Sequence, residues 1–239
     1  MHWTKILAAL TEARRQFDRQ TEQQCSAARD KRIGIFCEKG CSNCCTLAVN
    51  CSFPEALAIA QTLNNAQQLA LKATIPLLQE VSLQAEKFKD FLQQYRQRVE
   101  GCPWLENEHG YCQIYQQRPF SCRSLISTRN SSWCGIDFSS LHPLEKEAFL
   151  SSLDPELVAF PTHYLAAAQE LGIEFESQAL IRMRETFDMS LTGNLLYLVW
   201  LELEYRLSEV IPAGFAATRE FLEERQLDLP FLLQLQGGD

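Results

Sequence analysis

No window of this 239-residue chain is a basic block, and its formal net charge is −8. Phosphate recognition leans on clustered Lys and Arg, so nucleic acid is set aside as a partner. Long apolar runs are missing too. The most apolar stretch, Leu195–Leu201, is seven residues long, where a membrane-spanning helix needs about 20. Near the start, the apolar stretch Ile6–Leu10 is followed at once by Glu12, Arg14 and Arg15, too short and too charged a pattern for a secretory signal. No Gly/Ser/Pro-rich linker divides the chain. There is no nucleotide loop, no His–Glu metal motif and no Ser-His-Asp arrangement. The expectation is a cytoplasmic protein that does not enter a membrane, in a compartment where thiols stay reduced.

What is present suits a globular chain, with 46% hydrophobic and 22% charged residues. Most of it reads as helix. Trp3 to about Arg32 has Ile6, Leu7, Leu10, Ala13 and Phe17 near helical spacing. Ser52 with Glu55 forms a capping box for a helix to about Leu63, with Pro54 in its first turn. Another helix is predicted from Ala66 to about Arg98, interrupted or kinked at Pro76. Gly101 to Asp137 is irregular, with two very short strands around Gly110. Helical patterns return at Pro143–Ser152, Pro161–Leu171, Ser177–Met189, Leu191–Glu209 and Ala213–Arg225. The expected fold is mainly α, a helical body with an irregular cysteine-rich segment and a short β-hairpin organised around a metal site. Residues 1–137 would form the N-terminal helix and metal-binding region, and residues 138–239 a helical region packed on it as one compact body.

Ten cysteines stand at positions 25, 37, 41, 44, 45, 51, 102, 112, 122 and 134. Four fall within "CEKGCSNCC", spaced C-x3-C-x2-C-C. On a helix Cys37, Cys41, Cys44 and Cys45 would share a face; in a loop containing Gly40 their sulfurs could curl around one ion or cluster. Either way the concentrated thiolates need a cation. Cys102, Cys112 and Cys122 follow at intervals of ten, the long separation usual when a zinc or iron–sulfur site draws ligands from two places. Cys25 and Cys51 read as small apolar packing residues, and Cys134 as either ligand or packing. C-x3-C-x2-C is also the spacing of radical S-adenosylmethionine enzymes, but the alternating strands and helices of that fold are missing and Cys45 would fill the open iron position.

Taken together, "CEKGCSNCC", Cys102-Pro103-Trp104-Leu105, Gly110-Tyr111-Cys112-Gln113-Ile114-Tyr115 and Arg118-Pro119-Phe120-Ser121-Cys122-Arg123 resemble the YkgJ-like cysteine-cluster proteins, a family described as zinc- or iron-chelating. The resemblance covers roughly residues 37–126. It implies that Cys37, Cys41, Cys44, Cys45, Cys102, Cys112 and Cys122 are the ligand pool. A similar cluster in the flagellin lysine methylase of enteric bacteria extends the expectation to an iron–sulfur enzyme. Nothing familiar covers residues 138–239.

Around the ligand pool, Arg118 and Arg123 bracket Cys122 and could donate N–H groups to the sulfurs or pair with carboxylates. Pro119 stiffens the turn that presents Cys122. Trp104 and Tyr115 read as packing. His109 could complete a mixed site but sits in a polar turn, His142 reads as a helix entry, and His163 as a first-turn residue facing a pocket. Iron–sulfur is slightly favoured as the cofactor, in a redox or modification role. A structural zinc module whose helical remainder binds a protein or small molecule is the alternative, and a thiol protein that stores or senses metal a third. Replacing Cys41 by Ser should cost metal and several kcal/mol of stability, whereas Cys25→Ser should leave metal content unchanged in elemental analysis. Full metal occupancy in Cys41→Ser would refute the ligand assignment.

Overall fold

The computed structural model describes residues 2–38, 40–106 and 108–237. It is mainly helical with one small sheet, and among the described residues no helix is long and apolar enough to cross a membrane. Helix α1 (His2–Asp30) buries Ile6, Leu10, Phe17, Cys25 and Ala28 along one face. Strand β1 (Asn50–Ser52) runs directly into α2 (Phe53–Ala60). The capping box forms as expected. Glu55 Oε2 accepts from Ser52 N at 3.1 Å and from Ser52 Oγ at 2.7 Å. Helix α3 (Asn65–Gln84) starts from a second box, between Asn64 and Gln67, and passes through Pro76 without ending. Pro76 lies on the exposed side of α3, as does Lys72, whose carbonyl it leaves free, so the lost bond costs little there. The break comes at Ala85 instead, before α4 (Phe88–Gln94) and a π-helical turn, Tyr95–Val99.

The later elements are α5 (Phe120–Arg123), α6 (Pro143–Ser151), α7 (Ala166–Phe187), β2 (Met189–Asn194), α8 (Leu195–Tyr205), α9 (Leu207–Val210), α10 (Phe215–Glu224) and β3 (Leu233–Gly237). Three expectations are corrected here. The stretches Pro161–Leu171 and Ser177–Met189 contribute to one continuous helix, α7, which begins only at Ala166. The helix expected from Leu191 begins at Leu195, because residues 189–194 are the middle strand of an antiparallel sheet ordered β1-β2-β3. Helix α10 begins at Phe215, since Ala213 belongs to a preceding 3-10 turn. Asp188 ends α7 in the left-handed conformation, and the Asn194 side chain caps α8 by accepting from Leu196 N and Tyr197 N. Between them Gly193 lets the strands close: a Cβ there would lie 2.2 Å from the Leu232 carbonyl oxygen.

The apolar helix α8 packs on α2 and α3, and α7 packs on α1, α5 and β2. One core cluster runs from Ile6 through Phe53, Trp104 and Tyr197 to Leu232. Behind it lies a charged group. Glu55 is fully buried, and Glu176 on α7 approaches it. Burial first, then the Glu55 charge, push the Glu176 carboxyl from 4.5 up to about 8. A carboxyl raised in the fold adds stability below its unfolded pKa and loses it as pH climbs through its folded one. Glu176→Gln should therefore gain in melting temperature over wild type between pH 6 and pH 9. A difference that stays flat across that range would rule out this placement of the carboxyl.

Candidate metal centre

The first cysteine segment is a loop ending in a 3-10 turn, Asn43–Thr46, so the loop geometry holds and the helical one does not. Cys45 N bonds to Ser42 O at 2.9 Å and Leu47 N to Cys44 O at 3.1 Å. The second segment is locked onto this turn at its start, where Cys102 N donates to Cys45 O at 3.0 Å. It then makes a minimal hairpin. Leu105 and Cys112 form an isolated antiparallel bridge, with Glu106 N on Tyr111 O and Gln113 N on Trp104 O, both at 2.8 Å. At its tip Gly110 has φ +70°, and a Cβ would meet the Gly40 carbonyl at 2.7 Å, so only glycine lets the hairpin abut the first loop. Trp104 is fully buried, and its indole N–H reaches Gln67 O on α3 at 3.2 Å. Cys122 rides on α5, whose first N–H, from Phe120, donates to Glu55 Oε1 at 2.8 Å.

All ten cysteines are free thiols, and the seven of the ligand pool come to one region centred on Cys44. Its interaction with the neighbouring Cys45 thiol, together with burial, pushes the Cys44 thiol far up. On one flank, buried Tyr95 has Cys102, Cys122 and Cys45 as electrostatic neighbours. Burial pushes Cys102 and Cys122 up to about 12, with Cys44 and Cys112 adding to both. On the other flank Tyr164 neighbours Cys134, Cys44 and Cys37. Burial pushes Cys37 up to about 11, opposed by the Ser127 N–H at 3.1 Å from its sulfur, while Cys134, Cys44 and Cys41 push further. Cys25 packs between α1 and the start of α7, and Cys51 is sealed in β1 behind Cys122.

The two arginines part company. Arg123 is buried and committed: Nη1 holds the Asp18 carboxylate at 2.6 and 2.8 Å, Nε bonds Arg118 O and Nη2 bonds Gln116 O. Arg118 lies over the Tyr115 ring at 3.8 Å, and its charge favours the thiolates of Cys44, Cys112 and Cys122. Its Nε is buried without a hydrogen-bond partner among the described residues. His109 is exposed in the hairpin turn, with Nδ1 on Glu106 at 3.3 Å and its ring stacked on Tyr111. Sequence reasoning missed Tyr95 and Tyr164 altogether and left Cys134 undecided. Cys134 is buried with its sulfur 3.3 Å from His163 Nε2.

This donor set fits a thiophilic metal. Backbone N–H groups of Trp104, Ile114 and Ser127 already face the sulfurs of Cys102, Cys112 and Cys37, and the Arg118 charge favours the thiolates of Cys44, Cys112 and Cys122. Such donors favour the anionic sulfur a metal requires. Among the described residues the trio of candidate ligand atoms within 4.8 Å of one another is Glu106, Glu108 and His109 at the exposed turn; no three sulfurs are that close. In a tetrahedral thiolate site sulfurs stand about 3.8 Å apart, so the thiols would close by side-chain rotation. A groove of about 350 Å³ opens beside the Cys44–Cys45 turn, lined in part by Thr46, Leu47, Arg96 and Asp137.

The fold and these thiols define a helical protein with a cysteine-rich segment brought to one region. The family model CxxCxxCC, described as "Putative zinc- or iron-chelating domain", matches residues 36–137, about two-fifths of the chain. The match is the family that the cysteine pattern resembles. No curated protein and no solved structure matches the chain. Replacing Arg118 by Leu should weaken metal binding roughly 10- to 100-fold, the usual loss when a group orienting the ligands is removed, in competition with a chromophoric chelator. Arg123→Leu should instead lower the melting temperature of the metal-free protein. Equal effects of both on affinity would deny Arg118 its special place.

Proposed function

We propose that the protein carries an iron–sulfur cluster held by thiols from both cysteine segments and serves a redox or modification role. Cys44, Cys45, Cys102, Cys112 and Cys122 are the favoured ligands, with Cys37 and Cys41 at the margin. The observation that carries the reading is the convergence of these thiols on the Cys44–Cys45 turn within reach of the Arg118 charge, whose Nε–H finds no acceptor among the described residues. Spare thiols beside the adjacent Cys44 and Cys45 suit a cluster that changes ligation or redox state, and N–H donors facing the sulfurs would tune its potential. When bound, such a cluster supplies one-electron chemistry. The chain's own residues fix the sulfurs, offset their charge through Arg118 and shield them behind Tyr95 and Trp104. The groove beside Cys44–Cys45 leaves room for a small molecule.

A structural zinc role is the second reading, and the paired Cys134 and His163 favour it, because mixed sulfur and imidazole donors suit zinc. In both readings residues 1–137 supply the thiols and residues 138–239 pack against them, His163 being the donor the later part adds in the zinc reading, in a reducing, cytoplasmic setting that keeps the thiols free. The test is elemental analysis and a visible spectrum of protein purified without oxygen or chelators. Iron with acid-labile sulfide and broad visible absorption is expected. Zinc at one or two per chain with a blank visible spectrum would transfer the conclusion to the structural reading. Protein without metal would refute both.

A further inference from the structure

We infer that Cys134 and His163 form the core of a second, mixed sulfur–nitrogen metal site, completed by Cys37 and Cys41 and separate from the thiols around Cys102, Cys112 and Cys122. The inference rests on the metal-binding reading above but extends it to a residue outside the matched domain, since His163 lies beyond residue 137.

Geometry carries it. The Cys134 sulfur and His163 Nε2 are 3.3 Å apart. With metal–sulfur and metal–nitrogen bonds of about 2.3 and 2.0–2.1 Å, two ligands of one tetrahedral ion stand about 3.5 Å apart. The pair is therefore already near ligand separation. Both residues are buried, Cys134 at 4% and His163 at 3% exposure. His163 is fixed from behind, where its carbonyl accepts from Thr128 N at 3.0 Å and Thr128 Oγ1 at 2.8 Å. Its ring is held edge-on by Phe149 and against Tyr164. Tyr164, packed against that ring, also interacts with the Cys134 sulfur and favours its thiolate, the kind of support metal ligands usually receive.

The remaining donors come from the first cysteine loop. Ser127 pairs with Tyr164 across a β-bridge and donates its N–H to the Cys37 sulfur. That bridge brings Cys37 beside the Ser127–Tyr164 pair, next to the Thr128 that holds His163, and Cys134 is the thiol whose charge acts most on Cys37. Cys41 neighbours both. The pair is the fixed half of the site, and Cys37 and Cys41 would complete it by side-chain rotation, since among the described residues no third donor atom yet joins the pair within 4.8 Å.

The test uses the full chain, stripped of metal under reducing, anaerobic conditions and titrated with Co²⁺. Wild type should take up two equivalents. His163→Gln and Cys134→Ser should each take up one, with the lost absorption carrying the nitrogen-ligated signature, while Cys112→Ser should lose the other equivalent and keep that signature. Using both His163→Gln and Cys134→Ser, with thermal melts of each, separates loss of a ligand from loss of the fold. Two equivalents and an unchanged spectrum in His163→Gln would overturn the second site and leave the metal reading standing. One equivalent in wild type, lost equally in His163→Gln and Cys112→Ser, would also overturn it in favour of a single shared site. No Co²⁺ uptake by wild type would overturn the metal reading itself.

Discussion

Thiols gathered out of water resist ionisation, because burial and neighbouring sulfurs both penalise the charged form, and residues 36–137 must hold them together all the same. The effect is strongest at Cys44, beside Cys45 and within electrostatic reach of thiols on both flanks. Little regular structure holds them locally: a 3-10 turn, one β-bridge and a four-residue helix. The hold comes from long-range clamps onto rigid helices. Trp104 is tied to α3 through Gln67, Cys102 to the first loop through Cys45 O, and Arg123 to α1 through Asp18. Each clamp spends a polar contact on a segment that could not bury enough apolar surface to hold itself.

The buried Glu55 is the most consequential of these contacts. An ionised carboxylate out of water is costly unless its oxygens are fully hydrogen-bonded. Here one oxygen caps α2 through Ser52 and the other caps α5 through Phe120 N. A single side chain thus sets the distance between the helix that follows the first cysteine loop and the helix that carries Cys122. Its charge spreads further. Burial depresses Arg14 to about 10 despite the opposing pull of Glu55. The same carboxylate raises Glu176 on α7 and the sealed Cys51. The back of the centre is accordingly a polar network shared by α1, α2 and α7.

How much of this could be read beforehand depended on the range of the interaction. Local signals were legible. The apolar face of α1, the Ser52–Glu55 box, the Gly110 turn and the cysteine spacing are all written within a few residues. The sheet was not legible, because Met189–Asn194 is buried on both faces and lacks the alternation that marks a strand. Its apolar residues merged with those of α8 and read as one helix. Pro76 misled in the opposite direction, since a proline on an exposed helical face leaves the helix running. The pairing of Cys134 with His163 spans 29 residues and leaves no local trace. A His in "PTHYL" looks the same whether it faces solvent or sulfur.

The packing also dictates which part of the proposed centre moves when metal binds. Phe120, at the start of α5, lies against Phe17 and Phe175, the three ring centroids 5.5 to 5.9 Å apart. Close-packed interiors yield little, so α5 and its Cys122 are held fast between α1 and α7. Cys102 is similarly pinned by buried Trp104 two residues on. The first loop is held by hydrogen bonds instead of packed rings, from Cys102 N to Cys45 O, from Ser127 N to the Cys37 sulfur and from Asn43 Nδ2 to Ser131 Oγ, and all four of its cysteines are half-buried. Closure to ligand distance in the proposed centre would therefore fall to side-chain rotation of the cysteines in Cys37–Cys45, which no ring packing holds in place.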